Sequence, residues 1–206
     1  MAKYSGSLFG KISGKAKDSV ASTWKGIKYI REHVIPQNPK TPAQTLQRDK
    51  FANISGFGRR IVDTILNPHT IPAPKKKSAY NVFVGNNVPL QSTGVLDLSE
   101  VELVKGGLYQ PGIDSIEFTL PNGITLDYAT DNFGEAQASD LSFGVVYDRV
   151  ADKINIGELT RGAGSVTVNN GRVPNTDNEF DCWLYFVSAD NKRVSDSNYD
   201  LFIMPA

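Results

Sequence analysis

Apolar and polar residues alternate with a period of two through much of the second half of this 206-residue chain. The clearest example is a pair of alternating segments joined by a Pro-Asn-Gly turn at residues 121–123. Their apolar positions are Ile116, Phe118, Leu120, Ile124, Leu126 and Tyr128. Because successive side chains of a β-strand point to opposite faces of a sheet, the pattern predicts a hairpin with one buried face. Further strands are predicted at residues 141–147, 153–156, 165–168, 180–188 and 194–204.

The number and spacing of these segments indicate the fold class. About six to eight short strands within about a hundred residues are typical of an antiparallel β-sandwich. Within residues 180–188, residues 182–187 are apolar on both sides of the alternation, which predicts a central strand. We therefore predict a mainly β protein with an N-terminal α segment, in which a β-hairpin and a helix precede an immunoglobulin/fibronectin-like antiparallel β-sandwich.

The first 35 residues are rich in Gly, Ser and Lys and carry β-forming residues at intervals. They predict a hairpin with one strand at residues 19–24 and a second, extended segment at residues 27–34. The Lys25-Gly26 pair between them would allow a bend or a bulge. Since an isolated hairpin is only marginally stable in water, this segment needs another surface to lie on.

Two prolines hold residues 35–41 in an extended conformation, because a proline restricts its own backbone and that of the residue before it. Thr41 then has the position of a helix N-cap, followed by Pro42 at the first helical position and Gln44 three residues past the cap. This arrangement predicts a helix that begins here and ends at residues 67–68, Asn-Pro. Its apolar positions at helical spacing are Leu46, Ile54, Phe57, Ile61, Ile65 and Leu66.

Two glycines inside this helix, Gly56 and Gly58, predict a kink or close packing at that point. A second, short helix is predicted at residues 78–88. We therefore divide the chain into a basic attachment module of hairpin, strap and helix at residues 1–90 and an acidic sandwich at residues 91–206.

The zero net charge of the chain conceals two halves of opposite charge. Residues 1–80 hold 15 Lys and Arg against four Asp and Glu, and residues 81–206 hold seven against 18. Two interpretations stay open: the halves dock within one chain, or the basic half of one copy binds the acidic half of the next. The second kind of contact closes into rings or grows into filaments. We therefore expect a homo-oligomer.

Few residues in the sequence could carry catalysis. The two histidines, His33 and His69, have no Cys or carboxylate at metal-ligand spacing. The single cysteine, Cys182, alternates with apolar residues and is predicted to be buried. The Gly-rich residues 9–15 lack the spacing of a phosphate-binding loop. We expect no enzymatic activity and no cofactor.

The sequence predicts neither a metal site nor a membrane-spanning helix. Four acidic residues could surround a calcium ion, but they lack the alternating ligands of a known calcium loop, so we predict a solvated loop. These residues are Asp127, Asp131, Glu135 and Asp140. No stretch approaches the ~20 consecutive apolar residues of a membrane-spanning helix, and the first ten residues lack the apolar run of a secretory signal.

The basic N-terminal half also permits a nucleic-acid-binding function, which we favour less. Trp24 and Tyr29 are interleaved with Lys25, Lys28 and Arg31, and a groove that binds single strands combines aromatic and basic residues. The competing interpretation places Trp24, Ile27, Tyr29 and Ile30 on the apolar face of a strand, with Lys28 and Arg31 on its solvated side.

Four segments carry a resemblance to known proteins. They are residues 10–15 (GKISGK), 22–31 (STWKGIKYIR), 38–51 (NPKTPAQ, then QR and F) and 182–199, which together make up roughly a third of the chain. On these segments the chain resembles a family of uncharacterised bacterial proteins of about this length, with similar openings in tailed-phage and prophage proteins. The resemblance implies an attachment module formed by Trp24, Lys25, Gly26, Tyr29, Arg31, Asn38, Pro39, Thr41, Pro42, Gln44 and Arg48.

From this resemblance we expect a non-enzymatic virion structural protein of a bacteriophage, made in the bacterial cytoplasm. It would be a neck, tail or capsid-decoration component whose partners are other virion proteins and further copies of itself. A third alternative is a carbohydrate-binding adhesion module, suggested by aromatic residues such as Tyr128 and Tyr147 in the sandwich.

Overall fold

A computed structural model describes residues 2–3, 14–35, 38, 40–71, 76–119 and 121–205. Its contacts divide the chain into two compact units, Met1–Thr41 and Pro42–Ala206. The first unit carries eight Lys and Arg against two Asp and Glu, and the second carries 14 against 20. Within the described part of the chain, no helix is both long and apolar enough to cross a bilayer.

The N-terminal unit is a small antiparallel sheet of order β1-β4-β3-β2. Its strands are β1 (Ala2–Lys3), β2 (Gly14–Ala16), β3 (Ser19–Trp24) and β4 (Ile27–Glu32). The predicted hairpin is confirmed, but the bend or bulge expected at Lys25-Gly26 is a two-residue turn. Both turn residues have positive φ, 47° and 81°, as in the tight turns whose twist matches that of paired strands.

The C-terminal unit contains two antiparallel sheets. Their strands are β5 (Ser115–Thr119), β6 (Gly123–Asp127), β7 (Leu141–Asp148), β8 (Lys153–Thr160), β9 (Ser165–Asn169), β10 (Glu179–Val187) and β11 (Asn198–Ile203). The larger sheet has the order β11-β10-β7-β8 and the smaller one β5-β6-β9. The predicted mainly β fold with an N-terminal α segment is confirmed.

Strand β10 lies between two hydrophobic cores and is buried on both faces. On one face Phe180, Cys182 and Leu184 pack with residues of the smaller sheet, among them Ile124 and Val166. This core joins the two sheets into a sandwich. The other face of β10 belongs to a second core. Burial on both faces explains why residues 182–187 of this strand form a continuous apolar run.

The second core is closed by helices. They are α1 (Pro42–Ile61), a π-helical turn (Val62–Leu66), α2 (Asn67–His69) and α3 (Ala79–Asn87). The helix begins at Pro42 as predicted, and Ser78 caps α3 by accepting a hydrogen bond from the Asn81 backbone N–H at 3.2 Å. The close packing expected at the glycines occurs at Gly58, where a Cβ would lie 2.9 Å from the Phe83 ring.

The helices complete the core of the sandwich unit. Ile54, Ile61 and Phe83 pack in one cluster with Trp183 and Tyr185 of β10. The division predicted near residue 90 therefore differs from the division shown by the contacts, which falls between Thr41 and Pro42. The physical reason is that the apolar stripe of α1 covers a sheet face that would otherwise be exposed.

A buried carboxylate ties the end of β7 to the loop after β9. The Asp148 side chain is fully buried, and Arg172 donates to both its oxygens at 2.7 and 2.8 Å. Asn170 and the backbone N–H groups of Val150 and Ala151 also donate to it. Burial alone would raise the pKa of Asp148, but these hydrogen bonds outweigh burial and lower the pKa to about 2.

This network predicts a specific loss of stability in acid. A carboxylate whose pKa is lower in the folded state stabilises the protein above its unfolded pKa of 3.8 and loses that contribution as the pH falls towards 2. The contribution of Asp148 should be about 2 kcal/mol, measured by urea unfolding between pH 7 and pH 2. Asp148→Asn should lack this component. The interpretation would be wrong if the variant lost stability as steeply as the wild type below pH 4.

Candidate functional site

The strand register of the N-terminal sheet divides its side chains between two faces. Trp24 pairs with Ile27, Ser22 with Tyr29, and Val20 with both Arg31 and Lys15. Directly paired residues share a face, and so do residues two apart on one strand. One face therefore carries Lys15, Val20, Ser22, Trp24, Ile27, Tyr29 and Arg31, and we call it the Trp24 face.

The Trp24 face combines exposed apolar surface with positive charge. Trp24 is 63% exposed and Ile27 is 43% exposed. From the turn, Lys25 places its ammonium 5.0 Å from the centre of the Trp24 ring, within the range of a cation–π contact. The turn thus holds the Lys25 ammonium beside the exposed ring of Trp24.

The register changes the assignment of two basic residues. In the apolar-face interpretation, Lys28 and Arg31 lie together on a solvated side, opposite Trp24, Ile27, Tyr29 and Ile30. In the sheet Arg31 shares the face of Tyr29, because they are two residues apart, while Lys28 lies on the opposite face with Ile30. Ile27 lies on the Trp24 face as that interpretation predicted, although the predicted module omitted it, and Ile30 was wrongly placed there.

The opposite face of this sheet provides little core. Ala21, which pairs with Ile30, is 7% exposed and is the one buried hydrophobic residue among the described residues of this unit. A fully buried large apolar side chain contributes about 1.5–3 kcal/mol, and an alanine contributes less. Among its described residues, the unit therefore has very little buried apolar surface to hold it folded.

The other predicted module residues are distributed along the chain. Asn38 and Thr41 lie in the segment between the sheet and α1, where Asn38 Oδ1 accepts a hydrogen bond from the Lys40 backbone N–H at 3.4 Å. Pro39 lies outside the described residues. Three further residues, Pro42, Gln44 and Arg48, occupy the exposed first turns of α1 and belong to the C-terminal unit.

Among the described residues of the predicted module, the hairpin members form one surface, and Gln44 and Arg48 line another pocket with Gln47 and Phe51. Trp24, Tyr29 and Arg31 share a face, and Lys25 and Gly26 form the adjoining turn. This grouping reduces the candidate site to the Trp24 face and its turn.

Of three other candidate residues, Tyr128 and Cys182 lie in the core and His69 is half-buried. Tyr128 is buried, and its hydroxyl donates to Ser142 Oγ at 2.8 Å, so it is not the surface aromatic residue that was expected. Cys182 is fully buried, as predicted, and burial raises the pKa of its thiol. His69 lies 2.7 Å from the Tyr185 hydroxyl, and burial lowers the pKa of its imidazole to about 4.

The four acidic residues of the possible calcium loop have separate roles. The carboxylate of Asp127 accepts from Ser115 Oγ, and that of Glu135 forms an ion pair with Arg193. Asp140 is buried and accepts from the backbone N–H groups of residues 137 and 189. The backbone carbonyl of Asp131 accepts from Arg161. No cluster of three or more potential metal ligands occurs within the described ranges.

Comparison with known proteins places these features in a family. A family model for proteins of unknown function, DUF6266, matches residues 11–200. The chain belongs to this family. Searches of curated proteins and of solved structures found no match. The expectation of an uncharacterised family is confirmed, and the DUF6266 match includes strands of both units, so the small sheet and the sandwich belong to one family architecture.

Proposed function

We propose that the protein is a non-enzymatic structural protein of a bacteriophage particle, in a neck, tail or capsid-decorating position, which assembles through its N-terminal sheet. The observation that carries the proposal is the Trp24 face: exposed Trp24 and Ile27 stand beside basic residues in a unit with one small buried apolar side chain among its described residues. Such a sheet gains stability by burying that face against a partner.

The partner with complementary charge is the sandwich unit of another copy. The N-terminal unit has an excess of six basic residues, and the C-terminal unit has an excess of six acidic residues. A contact between unlike surfaces of two copies is heterologous and continues around a ring or along a filament. A particle component that is present in many copies requires a contact that repeats in this way. The resemblance of the chain's opening to tailed-phage proteins favours the same role.

The mass of the protein in solution tests the assembly step. Size exclusion with light scattering should give a discrete oligomer for the full chain and a monomer for Trp24→Ser/Ile27→Ser. The matched control is Val34→Ser/Ile35→Ser, which removes apolar residues that are 65% and 79% exposed but follow the last strand of the sheet. The control should keep the oligomer. A monomeric wild type, or equal loss in both double variants, would refute assembly through this face.

The virion role needs a second measurement. Particles purified from the host after prophage induction should contain the protein in stoichiometric amounts by quantitative mass spectrometry. Its absence from washed particles would rule out a structural position, whatever the oligomeric state of the isolated protein.

The Trp24 face also favours nucleic acid as a second candidate partner, since Trp24 and Tyr29 share it with Lys15 and Arg31. Base stacking with backbone neutralisation is the usual chemistry of single-strand binding. In that case affinity for a single-stranded oligonucleotide would fall steeply with salt. The Trp24→Ser/Ile27→Ser variant would then lose oligonucleotide binding, while the wild type would be monomeric without nucleic acid.

A further inference from the structure

A groove in the C-terminal unit is separate from the Trp24 face. It is open to solvent and has a volume of about 750 Å³. Its walls are one side of α1 and the loop at residues 93–98, and its floor is formed by residues at the end of β7 and in the following turn. This volume is in the usual range for small-molecule sites.

The loop wall is held in place by buried polar contacts. Gln91 is 1% exposed, and its side chain bonds both the N–H and the C=O of Asp97, at 2.8 and 3.0 Å. Asn53 of α1 donates its amide N–H to the Gly94 carbonyl at 2.7 Å. The wall is therefore formed before a ligand arrives, which reduces the entropy lost on binding.

The polar groups of the floor are also held in fixed positions. Arg60 donates to both oxygens of Asp152, at 2.6 and 2.5 Å, and the Tyr147 hydroxyl donates to the same carboxylate at 2.7 Å. Arg149 donates in the same two-pronged manner to the buried Asp181, at 2.7 Å for each bond. The hydrogen bond from Arg60, followed by that from Tyr147, lowers the pKa of Asp152 to about 2.

The charges of the groove disfavour ionic ligands. Its lining contains two arginines, Arg60 and Arg149, and two aspartates, Asp97 and Asp152, so it carries no net charge. Both guanidinium groups already hold a carboxylate, and an added anion would lie near the aspartates. No group of three potential metal ligands occurs in the described part of the chain.

Two other ligand classes fit poorly. An apolar ligand would displace water from the paired charged side chains and would offer them no hydrogen bonds in its place, which costs free energy. A peptide could not extend the sheet here, because β7 is already paired on both sides, with β10 and β8. A neutral ligand with many hydroxyl groups remains, since a hydroxyl can donate to carboxylates and accept from guanidinium or amide groups.

We propose that this groove binds a neutral saccharide. Sugar hydroxyls would donate to the carboxylates of Asp152 and Asp97 and accept from Arg60 and Arg149. The C–H faces of the sugar would pack on Val95, which is 75% exposed, and on the half-buried Tyr147. This activity is independent of the assembly proposed for the Trp24 face.

Gly56 provides a variant that blocks the groove without weakening the fold. It lies in α1 on the groove wall, and a Cβ at this position meets no atom within 4 Å. Gly56→Leu would therefore project into the groove while it improves helix propensity, so the melting temperature should hold or rise by about 2 °C. The matched control is Gly85→Leu in α3, which has the same free space and lies outside the groove.

The binding test uses the full chain and a panel of soluble oligosaccharides by saturation-transfer NMR. The neutral set contains di- to tetrasaccharides of hexoses, N-acetylhexosamines and deoxyhexoses, and the comparison set contains uronic-acid and sulfated oligosaccharides of equal length. At least one neutral member should bind, and Gly56→Leu should weaken it at least tenfold while Gly85→Leu leaves it unchanged. Arg60→Gln should also weaken it, but Arg59→Gln, the neighbouring exposed arginine outside the groove lining, should not.

Three results would overturn the proposal. The first is no binding by any neutral member of the panel. The second is binding of the charged set alone. The third is equal loss of binding in Gly56→Leu and Gly85→Leu, which would place the sugar outside the groove. None of these results depends on whether the full chain is an oligomer.

Discussion

Removal of residues 1–94 should abolish folding of the remaining chain, whereas removal of residues 1–41 should leave a cooperatively folded protein. The reason is the second core of the sandwich unit, in which helices cover one face of the larger sheet. Its buried residues from the helical region are Ile54, Phe57, Ile61, Ile65, Leu66, Ala79, Phe83, Val84 and Val88. At about 1.5–3 kcal/mol for each large side chain, their loss is at least comparable with the ~5–15 kcal/mol that stabilises a typical domain.

Trp183 reports the result directly. It is fully buried, its indole N–H donates to the Val101 carbonyl at 3.1 Å, and it lies 6.1 Å from the Phe57 ring, centre to centre. It is the one tryptophan in either truncated chain. Residues 42–206 should show the blue-shifted emission of a buried indole and a cooperative urea transition. Residues 95–206 should show solvent-exposed emission and no transition.

The same comparison tests where the domain boundary lies. A cooperative transition in residues 95–206, with Trp183 still shielded, would mean that the sandwich folds without its helices. The prediction of a boundary near residue 90 would then describe the folding units better than the contacts do.

Gly106→Ala should cost about 3 kcal/mol of unfolding free energy, whereas Gly107→Ala should change it by less than about 0.5 kcal/mol. A Cβ at Gly106 would lie 1.9 Å from the backbone oxygen of Val194, so the backbone would have to move. A Cβ at Gly107 meets no atom within 4 Å. Neither glycine has a positive φ, so the pair isolates the steric effect from backbone strain.

The contacts around Gly106 explain why movement there is costly. Leu108 N–H donates to the Val194 carbonyl at 3.1 Å, and Ser197 N–H donates to the Val104 carbonyl at 3.1 Å. The Gly106 N–H itself donates to Asp196 Oδ1 at 3.0 Å. Urea unfolding of the two single variants at pH 7 measures the difference. Equal stability of the two variants would show that the segments around Gly106 and Val194 can move apart without loss of unfolding free energy.

Most of the secondary structure could be predicted from the sequence. Three elements show this. A period of two predicted the hairpin around residues 121–123, and an apolar run predicted the central strand β10. A proline after a capping residue predicted the start of α1 at Pro42. These signals lie within a few residues of the elements that they specify, so one sequence is enough to detect them.

The candidate site could be predicted in part. The resemblance and the mixture of aromatic and basic residues identified Trp24, Tyr29 and Arg31, which the register places on one face. The same reasoning could not separate these residues from Pro42 and Arg48, which belong to the other unit. The adhesion alternative assigned Tyr128 to the surface, although alternation places it on one face with Ile124 and Leu126, and all three are buried.

The groove beside α1 illustrates what only the tertiary structure decided. Arg60 and Asp152 are 92 residues apart, and nothing in the local pattern links them. They meet because the apolar stripe of α1 packs on the larger sheet and so sets one side of the helix beside the turn after β7.

The sequence by itself determined most of the strands, the start of α1 and the alternation of apolar positions in the sandwich, since local periodicity and turn chemistry specify them. Tertiary packing decided that α1 belongs to the sandwich and that Trp24 stays exposed. It also decided that Gly106 must have no side chain. Each of these outcomes depends on which surfaces meet, and that choice is made by the burial of residues far apart in the chain.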